Sequence, residues 1–180
     1  MVNMAALPDL ITVAQFRQLP EGGELIYELH YGEVVSMTRP RARHLELQHR
    51  LMMQLAPKLK GHVVRIEYPF RPLAEFELRA ADVAAVSRER WEAIDPEDNL
   101  RGAPELVIEV KSPSNSKRQL QELVALCLAN GSIECWVVDM DRKSVSVVRR
   151  EGAAVVYNPG DSIPLTAFGG GELAVGEIFG

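Results

Sequence analysis

The sequence lacks the features that mark membrane, secreted and disulfide-bonded proteins. No apolar run in its 180 residues approaches the roughly 20 residues that a membrane-spanning helix needs. The first nine residues show no basic region followed by an apolar one, so we expect no secretory signal. The two cysteines, Cys127 and Cys135, have neither metal-ligand spacing nor further partners. These absences predict a cytoplasmic protein with reduced cysteines in or near its core.

Internal repeats, low-complexity tracts and a phosphate-binding loop are also missing. The three glycines at 169–171 do not stand between a strand and a helix, as a phosphate loop would require. A net charge of −5 argues against non-specific coating of nucleic acid, although it allows a local basic patch. Length and a hydrophobic content of 47% predict one globular domain over 1–180, with a loose N-terminal segment at 1–10.

A short apolar strand at 104–111 is the central feature of the sequence. Prolines bound it on both sides, which is typical of a strand buried on both faces. Glu109 and Lys111 break the apolar run, and they share a face because side chains alternate along a strand. Burying a charge is costly unless it is paired or bound to a metal. Taken alone, a local Glu–Lys pair at a sheet edge explains the triplet equally well.

A second apolar strand, at 79–86, also carries a single acid, Asp82. A turn aspartate at the start of the strand is the alternative interpretation. Periodicity predicts helices at 12–19, 41–60, 87–91 and 117–129, and further strands at 25–30, 33–37, 62–70, 133–139, 144–149 and 153–157. The tail is expected to be loop plus a last apolar segment.

The order of these elements predicts a mixed sheet with helices packed against it. A helix between the strands at 104–111 and 133–139 permits a parallel crossover pair, and the earlier strands can pair as antiparallel neighbours.

The start of the helix at 41–60 combines a histidine with basic residues. His44 falls on the apolar stripe of the helix, where a lone histidine is commonly structural. Three arginines lead into this helix: Arg39, Arg41 and Arg43. They are either a solvated basic entry loop or contacts for a phosphate backbone.

Together these pieces resemble the Uma2 family, described as a putative restriction endonuclease domain of the PD-(D/E)XK nuclease superfamily. The resemblance runs from about Ile11 to the C-terminus. It rests on the order of short motifs at 27–29, 32–37, His44, 82–84, 104–114 and 131–139. It implies an α/β fold with a restriction-endonuclease-like core, a mixed β-sheet flanked by helices, extra N-terminal strands and C-terminal hairpins.

The resemblance assigns site residues by position. Asp82 matches the aspartate of the Pro-Asp motif, whereas Glu109 and Lys111 match the (D/E)-x-K motif. Ala81 stands where proline is usual, which removes no ligand. Members often carry Lys and Tyr in the second helix, where this chain has Leu123 and Cys127, and this weakens any role for that helix.

The chemistry of these side chains suits a magnesium site. Mg²⁺ prefers oxygen ligands, and Asp82 and Glu109 can supply two, with the backbone carbonyl of Val110 as a third. Lys111 can hold the attacking water or stabilise developing negative charge. Weaker candidates for an accessory role are His44 and Glu46.

The sequence therefore predicts a PD-(D/E)XK-type endonuclease, a hydrolase that uses Mg²⁺, or Mn²⁺ in its place, to cleave DNA. RNA is not excluded as the substrate. We also expect a homodimer without membrane association. The alternative is a catalytically silent nucleic-acid-binding or assembly module that keeps the fold, in which Asp82, Glu109 and Lys111 form only a buried ion-pair network.

Overall fold

A computed structural model of the protein describes residues 10–20, 25–112 and 116–180. Three predicted features therefore lie wholly or partly outside the described residues: the loose segment up to residue 9, the turn at 21–23, and residues 113–115 of the loop after the central strand. Within the described ranges, no helix is both long enough and apolar enough to cross a membrane.

Helices separate runs of one to four strands along the chain. In order they are α1 (Val13–Phe16), β1 (Leu25–His30), β2 (Glu33–Thr38), α2 (Ala42–Leu55), β3 (His62–Arg71), β4 (Arg79–Ser87), α3 (Arg88–Glu92), β5 (Leu100–Arg101), β6 (Leu106–Val110), α4 (Lys117–Ala129), β7 (Glu134–Asp139), β8 (Ser144–Arg149), β9 (Val155–Tyr157), β10 (Ser162–Pro164), a 3₁₀ turn (Thr166–Phe168), β11 (Glu172–Ala174) and α5 (Val175–Phe179).

Seven of these strands form one mixed sheet in the order β5-β3-β4-β6-β7-β8-β9. β6 and β7 are parallel, and α4 is the crossover between them, as predicted. β3, β4 and β6 are antiparallel neighbours, and β7, β8 and β9 form consecutive hairpins. The predicted α/β class, with a large mixed sheet flanked by helices, is confirmed.

Both faces of the sheet are covered, which explains the apolar character of β6. Ile108 and Val110 pack with Leu51 of α2 in one core cluster. Val107, which precedes Ile108 and so points to the opposite face of the strand, belongs to a second cluster that contains Cys127 of α4. Both cysteines are buried and free, as predicted. The sheet therefore lies between two helical layers, and any charged side chain on β6 is placed in a dry environment.

Local sequence signals account for the ends of the helices. Ser116 and Gln119 form the predicted capping box at the start of α4, with the Ser116 N–H donating to Gln119 Oε1 at 2.8 Å. The helix predicted at 41–60 ends sooner, at Leu55. Pro57 has no N–H to donate to the preceding turn, and its ring clashes with a continued helix.

Two further differences from the expected elements lie outside the central strands. β5 was missed because a two-residue strand has no periodicity to detect. The tail, expected to be mainly loop, instead forms the β10–β11 hairpin and α5. Its side chains Ile163, Leu173 and Ile178 are fully buried in the core cluster on the α2 face. Only tertiary packing explains these short elements.

The N-terminal hairpin is fixed against the start of β4. Its two-residue turn has positive φ at both Tyr31 (50°) and Gly32 (83°), which is the conformation that favours a tight hairpin. Leu29 pairs with Leu78 by backbone hydrogen bonds. Glu28 Oε1 accepts the N–H of Ala80 at 3.0 Å. The hairpin therefore brings an acidic side chain to within two residues of Asp82.

One carboxylate joins the N-terminal helix to the β3–β5 edge of the sheet. Asp98 accepts hydrogen bonds from Arg17 at 2.7 Å, from Arg71 at 2.7 and 2.8 Å, and from Arg101 at 3.1 Å. Burial raises the pKa of Asp98, but the hydrogen bonds from the Asn99 backbone and these arginines outweigh it and hold the pKa below its usual range. Because the folded-state pKa is depressed, Asp98 stabilises the fold at neutral pH and loses this contribution as the pH falls.

We expect Asp98→Ala to destabilise the protein by about 2 kcal/mol, since it removes the carboxylate that accepts two hydrogen bonds from the buried Arg71 guanidinium. The expected fall in Tm is roughly 4–8 °C for a chain of this size. The matched control is Glu97→Ala, because the neighbouring Glu97 side chain is exposed. Thermal unfolding at neutral pH measures both variants, and equal Tm values would show that the arginine contacts contribute nothing.

Candidate active site

Asp82 lies at the point where three elements meet. Its Oδ1 accepts hydrogen bonds from His44 Nε2 at 2.8 Å and Gln48 Nε2 at 2.6 Å, both on α2. Its Oδ2 accepts the backbone N–H of Val110 on β6 at 2.6 Å. The carboxylate is therefore held in place by donors from a helix and from the neighbouring strand.

Glu109 lies beside Asp82 on the sheet. The register of β4 and β6 ends with Val83 opposite Ile108, one residue short of a pairing of Asp82 with Glu109. The backbone N–H of Asp82 hydrogen-bonds to the Glu109 carboxylate. Glu109 is buried, and its Oε1 has no hydrogen-bond partner among the described residues. A buried carboxylate oxygen without a donor is costly in any fold.

The environment of Glu109 opposes its negative charge. Burial raises its pKa well above the usual value, and the nearby charges of Asp82 and Glu28 raise it further. The hydrogen bond from the Asp82 backbone opposes this rise only in part. The negative charges of Glu28 on β1 and Asp82 on β4 thus disfavour ionisation of Glu109 on β6.

His44 compensates the charge of Asp82 from the first turns of α2. The hydrogen bond to Asp82 raises the pKa of His44, while burial lowers it and the charges of Asp82 and Glu67 raise it again. The net shift favours the imidazolium form. His44 therefore contacts one of the two carboxylates that the sequence predicted as metal ligands, and this contact favours the charged form of the histidine.

Lys111 points to the rim of the site and is half exposed. Its Nζ lies 3.1 Å from Asp139 Oδ2 on β7. Asp139 Oδ1 also accepts the backbone N–H groups of Asp141 and Arg142, so Asp139 both stabilises the β7–β8 turn and holds the lysine. Backbone donation from Arg142, together with Lys111, lowers the pKa of Asp139 and keeps it ionised.

The other predicted residues lie at different depths. Val110 directs its N–H towards Asp82, and its carbonyl points to the same side because both groups of a strand residue do so. Glu46 lies on the solvent face of α2, with its side chain 71% exposed and 3.3 Å from Arg50. All three predicted substrate-binding arginines are exposed: Arg39, Arg41 and Arg43.

The comparisons with known proteins agree with this fold. The model of the Uma2 family, described as "putative restriction endonuclease", matches residues 13–176. The chain belongs to the Uma2 family. A crystal structure of a putative nuclease of DUF820 from Anabaena variabilis superimposes with a TM-score of 0.79 at 21% identity, covering 94% of this chain and 97% of that chain. At this identity the likeness establishes the fold alone. No curated protein matches the sequence.

The Uma2 match includes Asp82, Glu109 and Lys111, but the roles of these residues stay predictions. The structure brings Asp82 into contact with His44. It also places Glu109 close enough for the charge of Asp82 to raise the pKa of Glu109. It directs Lys111 towards Asp139. Glu46 is separated from this group by its position on the outer face of α2.

In this Uma2 protein the structure adds four residues to the site that the sequence did not indicate: Glu28, Gln48, Glu67 and Asp139. Gln48 could have been found, because it follows His44 by one helical turn on the same stripe. The position of Glu28 depends on the docking of the hairpin. Asp139 ends the strand predicted at 133–139, and its contact with Lys111 depends on the pairing of β6 with β7. Glu67 depends on a backbone conformation that no local pattern indicates.

We expect Glu109→Gln to stabilise the metal-free protein at neutral pH. The folded-state pKa of Glu109 is raised above its value in the unfolded chain. The contribution of Glu109 to stability is therefore fully present when the pH is below the unfolded-state pKa, and it is lost as the pH rises through the folded-state pKa. Glutamine cannot ionise, so the variant avoids this loss. In chelator, the Tm difference in favour of the variant should grow as the pH rises above about 4.

Glu105→Gln is the matched control, since Glu105 precedes the same strand. Burial raises its pKa, but hydrogen bonds from its own backbone and Ser87, with the charge of Arg90, lower it overall. A carboxylate with a depressed pKa stabilises the fold at neutral pH, so this variant should have a lower Tm there. A Glu109→Gln variant that is less stable than the parent at neutral pH would contradict the unfavourable charge assigned to Glu109.

Proposed function

We propose that this Uma2 protein is a Mg²⁺-dependent endonuclease of PD-(D/E)XK type that hydrolyses phosphodiester bonds in DNA. Membership of a family described as restriction endonucleases supports nuclease function at the coarser level. The observation that carries the finer proposal is the buried Glu109 carboxylate, which has one oxygen unpartnered beside the charge of Asp82. A divalent cation would satisfy the unpartnered oxygen and offset the repulsion between the two carboxylates.

The residues of the site fit a magnesium ion. Among the described residues, no three His, Cys, Asp or Glu side chains converge to hold a metal on their own. Mg²⁺ does not need three, because it keeps several waters and commonly binds one or two carboxylates together with substrate phosphate. Asp82 and Glu109 would hold it, with the Val110 carbonyl on the same side of β6 as the N–H that meets Asp82.

The bound ion would polarise the phosphodiester and lower the pKa of an attached water. The protein's own groups have separate tasks around it. His44 and Gln48 orient Asp82 from α2. Lys111, held by Asp139 at the rim, orients the attacking water or stabilises the negative charge that develops on the phosphate. The two helical layers keep water away from the buried side of Glu109.

DNA is the proposed substrate, and the basic entry to α2 is its proposed contact. His44 fixes the first turns of α2 against Asp82, and Arg41 precedes His44 by three residues. At a rise of about 1.5 Å per residue, Arg41 and Arg43 begin within one helical turn of a residue that touches the site. Exposed arginines at this distance can bind the phosphates that flank the scissile bond. A homodimer would present two such sites.

The second candidate function is a silent binding or assembly module. The contacts of Asp82 favour it, because all of its donors come from the protein, and Lys111 is paired with Asp139. The unpartnered Glu109 oxygen favours the enzyme instead, since a purely structural network would satisfy both carboxylates.

We expect Asp82→Ala and Glu109→Ala to reduce metal-dependent cleavage of DNA to background, and Lys111→Ala to reduce it by about 10²–10³-fold. The reason is the loss of metal ligands in the first two variants and of charge stabilisation in the third. The measurement is plasmid and oligonucleotide cleavage in Mg²⁺ or Mn²⁺. Activity per folded molecule that persists in both acid variants would sink the enzyme proposal.

Metal binding provides the control for this experiment. A cation that binds only the folded state stabilises it by about 2.7 kcal/mol at roughly one hundred times its Kd. The parent protein should therefore gain roughly 5–10 °C in Tm with Mn²⁺. The Asp82→Ala, Glu109→Ala double variant should gain nothing. Equal gains in the two proteins would indicate a general salt effect.

We expect replacement of Arg39, Arg41 and Arg43 by glutamine to weaken DNA binding similarly for all sequences, because phosphate contacts carry no sequence information. The slope of log K against log salt should flatten by roughly two to three units. A salt titration with duplex and single-stranded oligonucleotides in Ca²⁺ measures this slope without cleavage.

The control for the arginine variant is Lys60→Gln, Arg88→Gln. Both residues are exposed and lie at the far end of β3 and β4, where His62 pairs with Ser87. This end is five strand residues from Asp82, or about 17 Å. An unchanged slope in the arginine variant, or an equal change in the control, would place the substrate path elsewhere.

A further inference from the structure

Glu67 has a backbone conformation that is unusual inside a strand. It lies within the ten residues of β3 with φ at 47°, in the left-handed region that non-glycine residues seldom adopt. The ladder between β3 and β4 pairs Ile66 with Val83 and Tyr68 with Ala81, but it omits the pair between them, Glu67 and Asp82. The sheet therefore loses regular pairing at the position of Asp82.

The strand turns over at Glu67. Val64 and Ile66 contribute to the core cluster on the α2 face, whereas Tyr68 and Phe70 belong to the cluster on the opposite face. Strict alternation would put all four side chains on one face. A non-glycine residue in this conformation is strained, and strain of this kind persists only where the surrounding structure enforces it.

The side chain of Glu67 reaches Asp82 through one amide group. Gln48 Nε2 donates to Glu67 Oε1 and also to Asp82 Oδ1, at 2.6 Å from the latter. Both donor hydrogens of the amide are thus used, one for each carboxylate. The opposite orientation of the amide would point Gln48 Oε1 at two carboxylates, which repel it.

The Gln48 amide is itself held at a cost. The residue is fully buried, and its Oε1 has no hydrogen-bond partner within the described part of the chain. A link that merely attached α2 to the sheet would need neither a strained strand nor an unpartnered amide oxygen. Both costs are explained if the orientation of Asp82 is what the arrangement secures.

We propose that Glu67 is a positioning residue for Asp82. Its carboxylate fixes the Gln48 amide, whose second N–H sets the orientation of Asp82 Oδ1, and the left-handed backbone delivers Glu67 to that amide. This inference rests on the proposed function, in which Asp82 is a metal ligand. It gives Glu67 of β3 a part in metal binding, in addition to the parts proposed for the motif residues Asp82, Glu109 and Lys111.

The test compares Glu67→Gly with Glu67→Gln by calorimetric titration of Mn²⁺ and by thermal unfolding in chelator. Glycine adopts positive φ freely, and this relief of strain offsets part of the cost of leaving the buried Gln48 N–H without its acceptor, so Glu67→Gly should lower the Tm less than a glycine elsewhere in β3 does. It should weaken Mn²⁺ affinity by about 10- to 100-fold, the usual effect of removing a group that orients a metal ligand. Glu67→Gln retains an acceptor for Gln48 and should stay within about threefold of the parent.

Two further variants keep the test decisive. Arg65→Gly places glycine at another position of β3, where φ is not positive, and should lower the Tm while leaving Mn²⁺ affinity unchanged. Gln48→Met breaks the same link from the helix. It should weaken Mn²⁺ affinity as much as Glu67→Gly does, and the double variant should show no further loss.

The proposal is overturned if Mn²⁺ affinity in Glu67→Gly or Gln48→Met stays within about threefold of the parent, below the range expected for an orienting group. A fall in Tm in Glu67→Gly as large as that in Arg65→Gly would also overturn it, as would equal losses of affinity in Glu67→Gly and Glu67→Gln. Failure of the proposed function has a different signature. In that case the parent and Asp82→Ala bind Mn²⁺ alike, whatever the Glu67 variants do.

Discussion

The interaction on which the site depends is the repulsion between the Asp82 and Glu109 carboxylates on neighbouring strands of a covered sheet. The protein relieves this repulsion for one partner only. Asp82 receives three donors, including the imidazole of His44, whereas Glu109 is buried with one oxygen lacking any partner in the described structure. Burial and the neighbouring acids together raise the pKa of Glu109. An arrangement this unequal is unstable by itself and favours the arrival of a cation.

The rest of the architecture holds these two carboxylates between the helical layers, where water screens their repulsion only weakly. The α4 crossover makes β6 and β7 parallel and covers one face, and α2 with the C-terminal hairpin covers the other. The β1–β2 hairpin adds Glu28 against the start of β4. The sheet therefore supplies the acids, the helices exclude solvent, and the donors that orient Asp82 come from α2. Removing either helical layer would let water solvate the carboxylates.

The central part of this arrangement could be predicted from sequence, because alternation and proline punctuation identify β6 and the crossover directly. Asp82, Glu109 and Lys111 were selected since each is a charge in or beside an apolar strand. The contact between Lys111 and Asp139 is not evident in the sequence, because the two residues are 28 positions apart and meet only through the pairing of β6 with β7. Glu67 alternates normally in the sequence, and no local pattern indicates its left-handed φ or its hydrogen bond from Gln48 of α2. The C-terminal elements likewise depend on packing against α2, since each is only three to five residues long.

The residues in the first turn of α2 also suit the site better than they stabilise the helix. Its N-cap, Arg41, makes no side-chain capping bond, and the first turn contains no acid. Arg43 and His44 instead place cationic groups at the positive end of the helix dipole, which is unfavourable for an isolated helix. His44 recovers part of this cost through Asp82. The arginines have no ion-pair partner among the described residues, so an anion from outside would interact favourably both with them and with the helix end. A phosphate backbone is such an anion, which is why this end of α2 fits the DNA substrate proposed for the site.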